Sequence, residues 1–418
     1  MAKIVLATFG SLGDLHPIVA LGLELKRRGH HIRFATMDFY REKIEMLGFD
    51  YVPMAPHLDP NDIADSPELV DAHTGTEKIL REIIIANVPA MYDDLLAAVE
   101  GADILITGEI IYAAKSVVEK TGIKWVTTTL APISLLSTHD PSVPPMATWF
   151  ENLRFLGAGF HGLLFRLIRM SMHSWLDEYR KFRLSLGLDP DDDPIFRDKF
   201  SRDLHLIMFS RALGSPQPDW PAGAVQTGFC FYDGQSDSGQ MPDALGEFLD
   251  AGEPPIVFTL GSAAVMDPRD FFEESVKAAK MLGRRAVNLY GVFNEPPHGL
   301  TDSIVGFDYA PYSKLFPRAA CVVHQAGVGT TGQVLRAGVP QLIMPYAHDQ
   351  PDNAARCRRL GVAEIIGRDD YTAESASRLL TQILAGDSYS KRSAEVAAIV
   401  DSEGGTAAAC DAIDGVLS

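Results

Sequence analysis

HQAGVGTTGQVLRAGVPQLIMPYAHDQPDNA, residues 324–354, decides how the rest of the chain is read. An apolar run at 319–323, short enough for a buried strand, leads into Gly327, Gly329 and Gly332 with two threonines among them. The order is strand, glycine turn, helix. Such a turn leaves free backbone N–H groups at the start of a helix over 330–337, where unpaired donors and the helix dipole favour a phosphate. Thr330 and Thr331 add hydroxyl donors there. Gly338 ends the helix, Pro340 follows, and a second apolar strand at 341–344 runs into Pro345 and the polar group His348, Asp349 and Gln350. Open α/β sheets bind ligands at the C-terminal ends of their strands. A turn that cradles a diphosphate, beside a strand end that hydrogen-bonds hydroxyls, has the shape of a nucleotide-sugar site. A glycine triplet alone would equally fit a tightly packed turn, and the second polar cluster tips the reading.

Working outward, 418 residues exceed one ordinary core and suit two domains, and 46% hydrophobic content with mixed charge describes a globular chain. The domains are expected at 1–232 and 242–400, joined by a Gly-, Ser- and Asp-rich linker at 233–241 and followed by a last helix at 401–418. A net charge of −18 turns away nucleic acid and an anionic membrane surface as main partners but allows a small anion in a local pocket. Cys230, Cys321, Cys357 and Cys410 are scattered without CxxC spacing, so neither a zinc site nor a disulfide framework is expected and a reducing cytoplasm fits. No uncharged run reaches membrane-spanning length, and the apolar start is far short of a signal sequence.

The start reads as an apolar strand at 3–9, the turn GSLGDLHP, and an amphipathic helix with Ile18, Leu21, Gly22 and Leu25 on one face. Gly10 and Gly13 lack the third glycine of a dinucleotide fingerprint, which argues against NAD. Asp14 stands at the helix entrance, where a plain capping role is open to it. Residues 63–99 are helical in pattern. A strand at 104–107 precedes Gly108 and Glu109, a helix at 113–120 closes on Gly122, and a further strand spans 124–130. Successive βα units predict a parallel, doubly wound sheet. Pro141, Pro144 and Pro145 make 138–147 a loop.

Residues 149–186 form an apolar helical stretch that includes Phe155, Phe160 and Met170. Such a stripe is more often core than ligand site, yet its Met and aromatic side chains suit an apolar ligand. Asp191, Asp192 and Asp193 spell the D-x-D of metal-dependent sugar transfer, but they lie in a Pro-flanked acidic turn that reads as solvated surface, and no metal is assigned. Strands at 204–209, 225–227, 256–260, 287–290 and 303–307 continue the pattern, with Gly261 and Ser262 in a small-residue turn, and the chain is helical after Tyr371.

The 324–354 segment, together with GSLGDLHP, resembles the UDP-glycosyltransferase superfamily, inverting enzymes of the GT-B fold, and within it the bacterial branch of rhamnosyltransferases and sterol and antibiotic glucosyltransferases. The resemblance implies an α/β protein of two doubly wound Rossmann-like domains facing across a cleft, with the last helix crossing back to the first domain. It implies that Asp14 is the catalytic base, with His16 the alternative. At the position of the family's diphosphate-binding His this chain has Gln325, with His324 one residue earlier. Where plant members carry a ribose-binding Glu it has Gln333, and Asp349 and Gln350 match the pair that binds sugar hydroxyls. Gly261 and Ser262 fall in a turn used for phosphate or sugar contacts, and Tyr309 with Ala310 falls where plant members stack an aromatic ring on uracil. Glu109 lies nearest the plant enzymes' base-orienting Asp, and the 149–186 region corresponds to the acceptor pocket.

The function expected is metal-independent transfer of a hexose, without a cofactor, from a nucleoside diphosphate sugar of the UDP-glucose or dTDP-rhamnose type to a hydroxyl of a hydrophobic small molecule. A nucleotide-sugar epimerase of the same fold would need no acceptor pocket, and an inactive helper protein would be expected to lose Asp14 or the Asp349–Gln350 pair.

Overall fold

The computed structural model describes residues 1–58, 69, 71, 74–234 and 241–418. Parts of the expected 63–99 helix and of the 233–241 linker lie outside them. The chain divides into two compact units, the first made of Met1–Ser142, Trp149–Cys230 and Gly404–Ser418, the second of Val143–Thr148 and Phe231–Glu403.

Among the described residues the first unit holds seven strands, β1 Lys3–Ala7, β2 His31–Thr36, β3 Asp50–Pro53, β4 Ile104–Thr107, β5 Lys124–Thr129, β6 Leu204–Ile207 and β7 Val225–Gln226, in the order β3-β2-β1-β4-β5-β6-β7. The second holds six, β8 Ile256–Thr259, β9 Ala286–Leu289, β10 Ile304–Phe307, β11 Cys321–His324, β12 Gln341–Ile343 and β13 Ala363–Ile365, in the order β10-β9-β8-β11-β12-β13. The named strands pair in parallel throughout. Their runs of Ile, Val and Leu are apolar on both faces because both faces are covered. In β8, Ile256 and Phe258 enter one buried cluster while Val257 enters another. The chain winds outward in one direction and then the other in each sheet, so the order reverses between β1 and β4 and again between β8 and β11. Those reversals leave a crevice at the C-terminal strand ends.

The described helices of eight or more residues are α1 Leu12–Arg27, α2 Val88–Ala98, α3 Ala114–Thr121, α4 Gly157–Ser171, α5 Asp177–Ser185, α6 Asp243–Asp250, α7 Phe271–Leu282, α8 Val328–Ala337, α9 Gln350–Leu360, α10 Ala373–Leu384, α11 Ser388–Asp401 and α12 Gly405–Leu417. Helix α12 belongs to the first unit. Arg28, the C-terminal cap of α1, pairs with its Asp411 at 2.7 Å and Asp414 at 2.8 Å, and the Cys410 thiol lies against the Leu21 carbonyl. All four cysteines are free and buried. Among the described residues, no helix is long and apolar enough to cross a membrane.

One expectation needs correction. The acidic turn is not solvated at Asp192 and Asp193, which are buried. Asp192 pairs with Lys115 and accepts from the Tyr179 hydroxyl at 2.5 Å, while Asp193 pairs with Arg169 at 2.6 Å and accepts from the N–H groups of Ile195 and Phe196. Inside the protein, arginine, lysine, tyrosine and backbone donors take the place of the water these carboxylates give up. Of the two roles open to the apolar stripe of 149–186, core packing does not describe its outer face, since Phe155 is 81% and Met170 73% exposed, with Phe160, Leu163 and Leu167 also open to solvent.

Candidate functional site

Two clusters of polar side chains stand at the two reversals. In the first unit Ser11 caps α1, its hydroxyl accepting from Gly13 N at 3.2 Å, and Asp14 Oδ2 answers by accepting from Ser11 N at 2.8 Å and Ser11 Oγ at 3.2 Å. This reciprocal cap fixes the carboxylate over the turn. Gly10 has φ +126°, and a Cβ there would fall 2.4 Å from Asp14 Oδ2, so the turn must be glycine for the carboxylate to lie where it does. Burial, with the charge of Glu109 adding to it, pushes the Asp14 carboxyl up to about 6. Capping and a poised carboxyl are thus properties of one residue.

His16 is placed differently. Its Nε2 accepts from the Lys43 ammonium at 3.0 Å, and burial with that neighbouring charge lowers it to about 3, which makes it a poor proton acceptor beside Asp14. Glu109, in the turn after β4, accepts from Leu130 N at 2.5 Å and from the Ser134 hydroxyl. It lines a small polar cavity with Lys199 and His205, whose ring bonds Thr127 at 2.7 Å and Thr129 at 3.1 Å. The segments after the C-terminal ends of β1 and β4 therefore each carry a carboxylate, and Ala7 lies directly opposite Thr107 in the ladder.

The second cluster surrounds the N-terminus of α8. Residues 309–348 contain no Asp or Glu in a chain that has 55, a signal of anion affinity readable in the sequence. The first carboxylate after that run, Asp349, accepts from Val328 N at 3.1 Å and from Asn353 Nδ2 at 2.7 Å. Gly329 and Thr330 keep N–H groups with no intrahelical acceptor. Gln325 is 4% exposed and its Oε1 has no partner, while its Nε2 lies against the turn after β8, where a Cβ on Gly261 would come within 2.2 Å of it. The Thr331 hydroxyl is buried without a partner, and Thr330 lies beside Gly261 and the Tyr312 hydroxyl, which is 2.9 Å from Thr259 Oγ1. Gln350 accepts from Tyr346 N at 2.8 Å, which leaves its NH2 to donate elsewhere. Gly327 is the cap residue of α8.

His324 and Gln325 face opposite ways, as adjacent strand residues do. His324 is buried, with Nδ1 accepting from Ala326 N at 3.1 Å and Nε2 donating to Gln341 Oε1 at 2.9 Å. Burial lowers it to about 4. A neutral, fully bonded imidazole cannot serve as a charged phosphate ligand near neutral pH. Nucleoside diphosphate affinity is therefore expected to show no protein titration between about pH 6 and 8. His324→Ala should destabilise the fold by roughly 1–3 kcal/mol, because Ala326 N and Gln341 lose their partner, with that flat profile unchanged. Calorimetry and urea melts check both, and an affinity that falls with pH in wild type but not in His324→Ala would put the imidazole on the phosphate.

The other expected residues sort as follows. Tyr309 is half-buried and donates its hydroxyl to the Asp233 carbonyl at 2.7 Å, whereas the Ala310 side chain is wholly in the core. Ser262 is exposed next to Gly261. Gln333 gives its amide N–H to the Asp233 carboxylate and accepts from Arg336 at 2.7 Å. Phe160 and Met170 on α4, and Phe155 in the turn of 3-10 helix just before it, are open to solvent, and Glu109 bonds elsewhere, to Leu130 and Ser134. Sequence reading gave no site role to Lys43, Asp233 or Asn353, and weighed Gly10 only as part of a dinucleotide fingerprint. Gly10 alone had a local signal, the glycine four before a capping acid. No group of three or more His, Cys, Asp or Glu side chains gathers as a metal site among the described residues.

Comparison with known proteins agrees with the geometry. Residues 4–123 match the Glycosyltransferase family 28 N-terminal domain, and residues 295–407 match the Erythromycin biosynthesis protein CIII-like C-terminal domain. The O-mycaminosyltylonolide 6-deoxyallosyltransferase of Streptomyces fradiae is 31% identical over 373 residues, covering 86% of this chain and 84% of that one. The vancomycin aglycone glucosyltransferase of Amycolatopsis orientalis is 28% identical over 431 residues, covering 99% and 98%. Among solved structures, the glycotransferase of kitacinnamycin superposes with a TM-score of 0.75 at 19% identity over 100% of this chain and 99% of that chain. The spinosyn rhamnosyltransferase SpnG complexed with thymidine diphosphate does so with 0.67 at 13% identity over 99% and 100%. The fold is GT-B. The chain belongs to the UDP-glycosyltransferase superfamily, family 1 of the glycosyltransferases.

Proposed function

We propose that this chain is a metal-independent, inverting glycosyltransferase that moves a hexose from a nucleoside diphosphate sugar, of the UDP-glucose or dTDP-rhamnose type, to a hydroxyl of a hydrophobic small molecule in the cytoplasm. The observation that carries the reading is the Asp14 carboxyl, pushed by burial up to about 6 and held over Gly10 by a cap it shares with Ser11. A base of that strength is ionised at neutral pH yet binds a proton better than an ordinary carboxylate. Asp14 takes the acceptor's hydroxyl proton as the acceptor oxygen bonds to the anomeric carbon. The bond from that carbon to the diphosphate breaks on the opposite side, and its electron pair leaves with the diphosphate.

The growing charge on the leaving group calls for fixed donors, and the N-terminus of α8 offers backbone N–H groups, Gln325 and two threonine hydroxyls for it. With these donors in place, no metal is required to neutralise the diphosphate. Asp349 and Gln350 remain as partners for sugar hydroxyls, and the exposed stripe of Phe155, Phe160 and Met170 provides apolar surface for an acceptor. The relatives named above, a glucosyltransferase and a 6-deoxyallosyltransferase, support transfer of a hexosyl or 6-deoxyhexosyl group.

The test is incubation with UDP-glucose and with dTDP-rhamnose beside a panel of apolar phenols and alcohols. Expected is a product heavier by one hexose unit, with an anomeric configuration opposite to that of the donor. Epimerised nucleotide sugar without acceptor glycosylation would overturn the reading in favour of an epimerase. A chain that stabilises a partner transferase but turns over neither donor would overturn it in favour of a helper.

A further inference from the structure

Gln333 spends both ends of its amide on the protein, donating to Asp233 and accepting from Arg336, so it has little left for a ligand. Asp233 has more. Its carboxylate offers about four acceptor sites, one of which Gln333 occupies, while Arg336 stands 3.6 Å from Oδ2, beyond hydrogen-bond reach but near enough to supply a counter-charge. Arg336 is itself held flat over the Phe231 ring at 4.0 Å. The Asp233 side chain is 24% exposed, so a ligand can reach it.

The position of Asp233 is as telling as its chemistry. Its carbonyl accepts from the Tyr309 hydroxyl at 2.7 Å, and its carboxylate meets α8 at Gln333. Gln333 is five residues beyond Val328, about 7.5 Å along the helix from the first donor. Asp233 thus connects an aromatic ring suited to a base with a helix whose start is suited to a diphosphate. In every nucleoside diphosphate the group between base and diphosphate is the pentose.

We infer that Asp233 reads the pentose of the bound nucleotide, its carboxylate accepting from the pentose hydroxyls while Gln333 and Arg336 hold it in place. This rests on the donor reading given above. The 3′-hydroxyl is common to ribo- and deoxyribonucleotides, and an acceptor that the bound pentose covers discriminates against an analogue that lacks the hydroxyl.

Calorimetric titration of the full chain with UDP and dTDP, each beside its 3′-deoxy counterpart, tests the inference. Wild type is expected to prefer the hydroxylated nucleotide by about tenfold or more. Asp233→Asn should erase most of that preference, and Asp233→Asn with Gln333→Glu, which moves the carboxylate across the same contact, should restore it. A merely structural Asp233 would lower affinity for all four nucleotides alike, and the double variant would not recover the preference. Either of those results, or a wild-type preference retained in Asp233→Asn, overturns the pentose assignment while leaving the donor reading intact. A wild-type chain that binds none of the four overturns both.

Discussion

Asp14→Asn is expected to lower turnover by about a hundredfold or more, to leave nucleoside diphosphate affinity unchanged, and to make the protein more stable at neutral pH. The first effect follows from loss of the proton acceptor. The third follows from the direction of its shift. Asp14 goes from an ordinary value of 3.8 to about 6 on folding, so the folded state binds the proton more tightly than the unfolded one. Stability therefore falls as pH rises from about 4 to 6, and the full penalty, on the order of 1–3 kcal/mol, is present above that range. Asparagine keeps an oxygen to accept from Ser11 N but carries no charge to desolvate. Urea melts should show Asp14→Asn ahead of wild type at pH 8, with the gap closing towards pH 4. Wild-type kcat/KM should fall as pH drops through about 6, when the base is protonated. Unchanged turnover, or a variant less stable at pH 8, would remove Asp14 from the role of a buried base.

Gly261→Ala should weaken nucleoside diphosphate binding by about tenfold or more without removing any group that touches the nucleotide. Gly261 has φ +65°, and a Cβ there would lie 2.2 Å from Gln325 Nε2 and 3.2 Å from Thr330 Oγ1, so the amide must be pushed from its place. Backbone strain alone cannot be mistaken for this effect, because Gly283 offers a matched control. It has φ +60° with nothing within 4 Å of an added Cβ. Gly283→Ala should cost stability of about 1 kcal/mol and leave nucleotide affinity alone. Equal affinities in the two variants would show that Gln325 is no part of the diphosphate cradle.

The βα units were readable from sequence because each is a local pattern. The run expected as a strand at 319–323 is Cys321–His324, and the helix expected from Thr330 begins at Val328 and ends where Gly338 adopts φ +69°. The opposite facing of His324 and Gln325 was readable too, since it needs nothing but strand alternation. What escaped depends on partners distant in sequence. Asp192 is buried by Lys115, 77 positions away, and nothing in its Pro-flanked neighbourhood announces that. Asp349 reads as a sugar-binding acid, yet one of its oxygens also satisfies Val328 N, 21 positions back. Gln333 looked like the loss of a carboxylate until the fold brought Asp233 to it from 100 positions upstream. The stripe of 149–186 was legible as apolar, but whether such a helix faces core or solvent is decided by its neighbours, not by its period.

The return of α12 to the first unit has a practical consequence for building hybrids of such enzymes. The unit that carries Asp14 is assembled from both ends of the chain, with the Gly405 amide bonded to the Thr227 carbonyl at 2.7 Å and Arg28 clamped to Asp411 and Asp414. On the ribosome this unit cannot be completed until the whole of 231–403 has been made. A chimera joined at a single crossover near residue 230 would pair its own α1 with a foreign last helix and break that clamp. One that exchanges 231–403 as a cassette keeps the clamp whole, and carrying Val143–Thr148 with it keeps the Val143 N–H on Asp352 as well, so a clean exchange follows the units and not the midpoint of the chain.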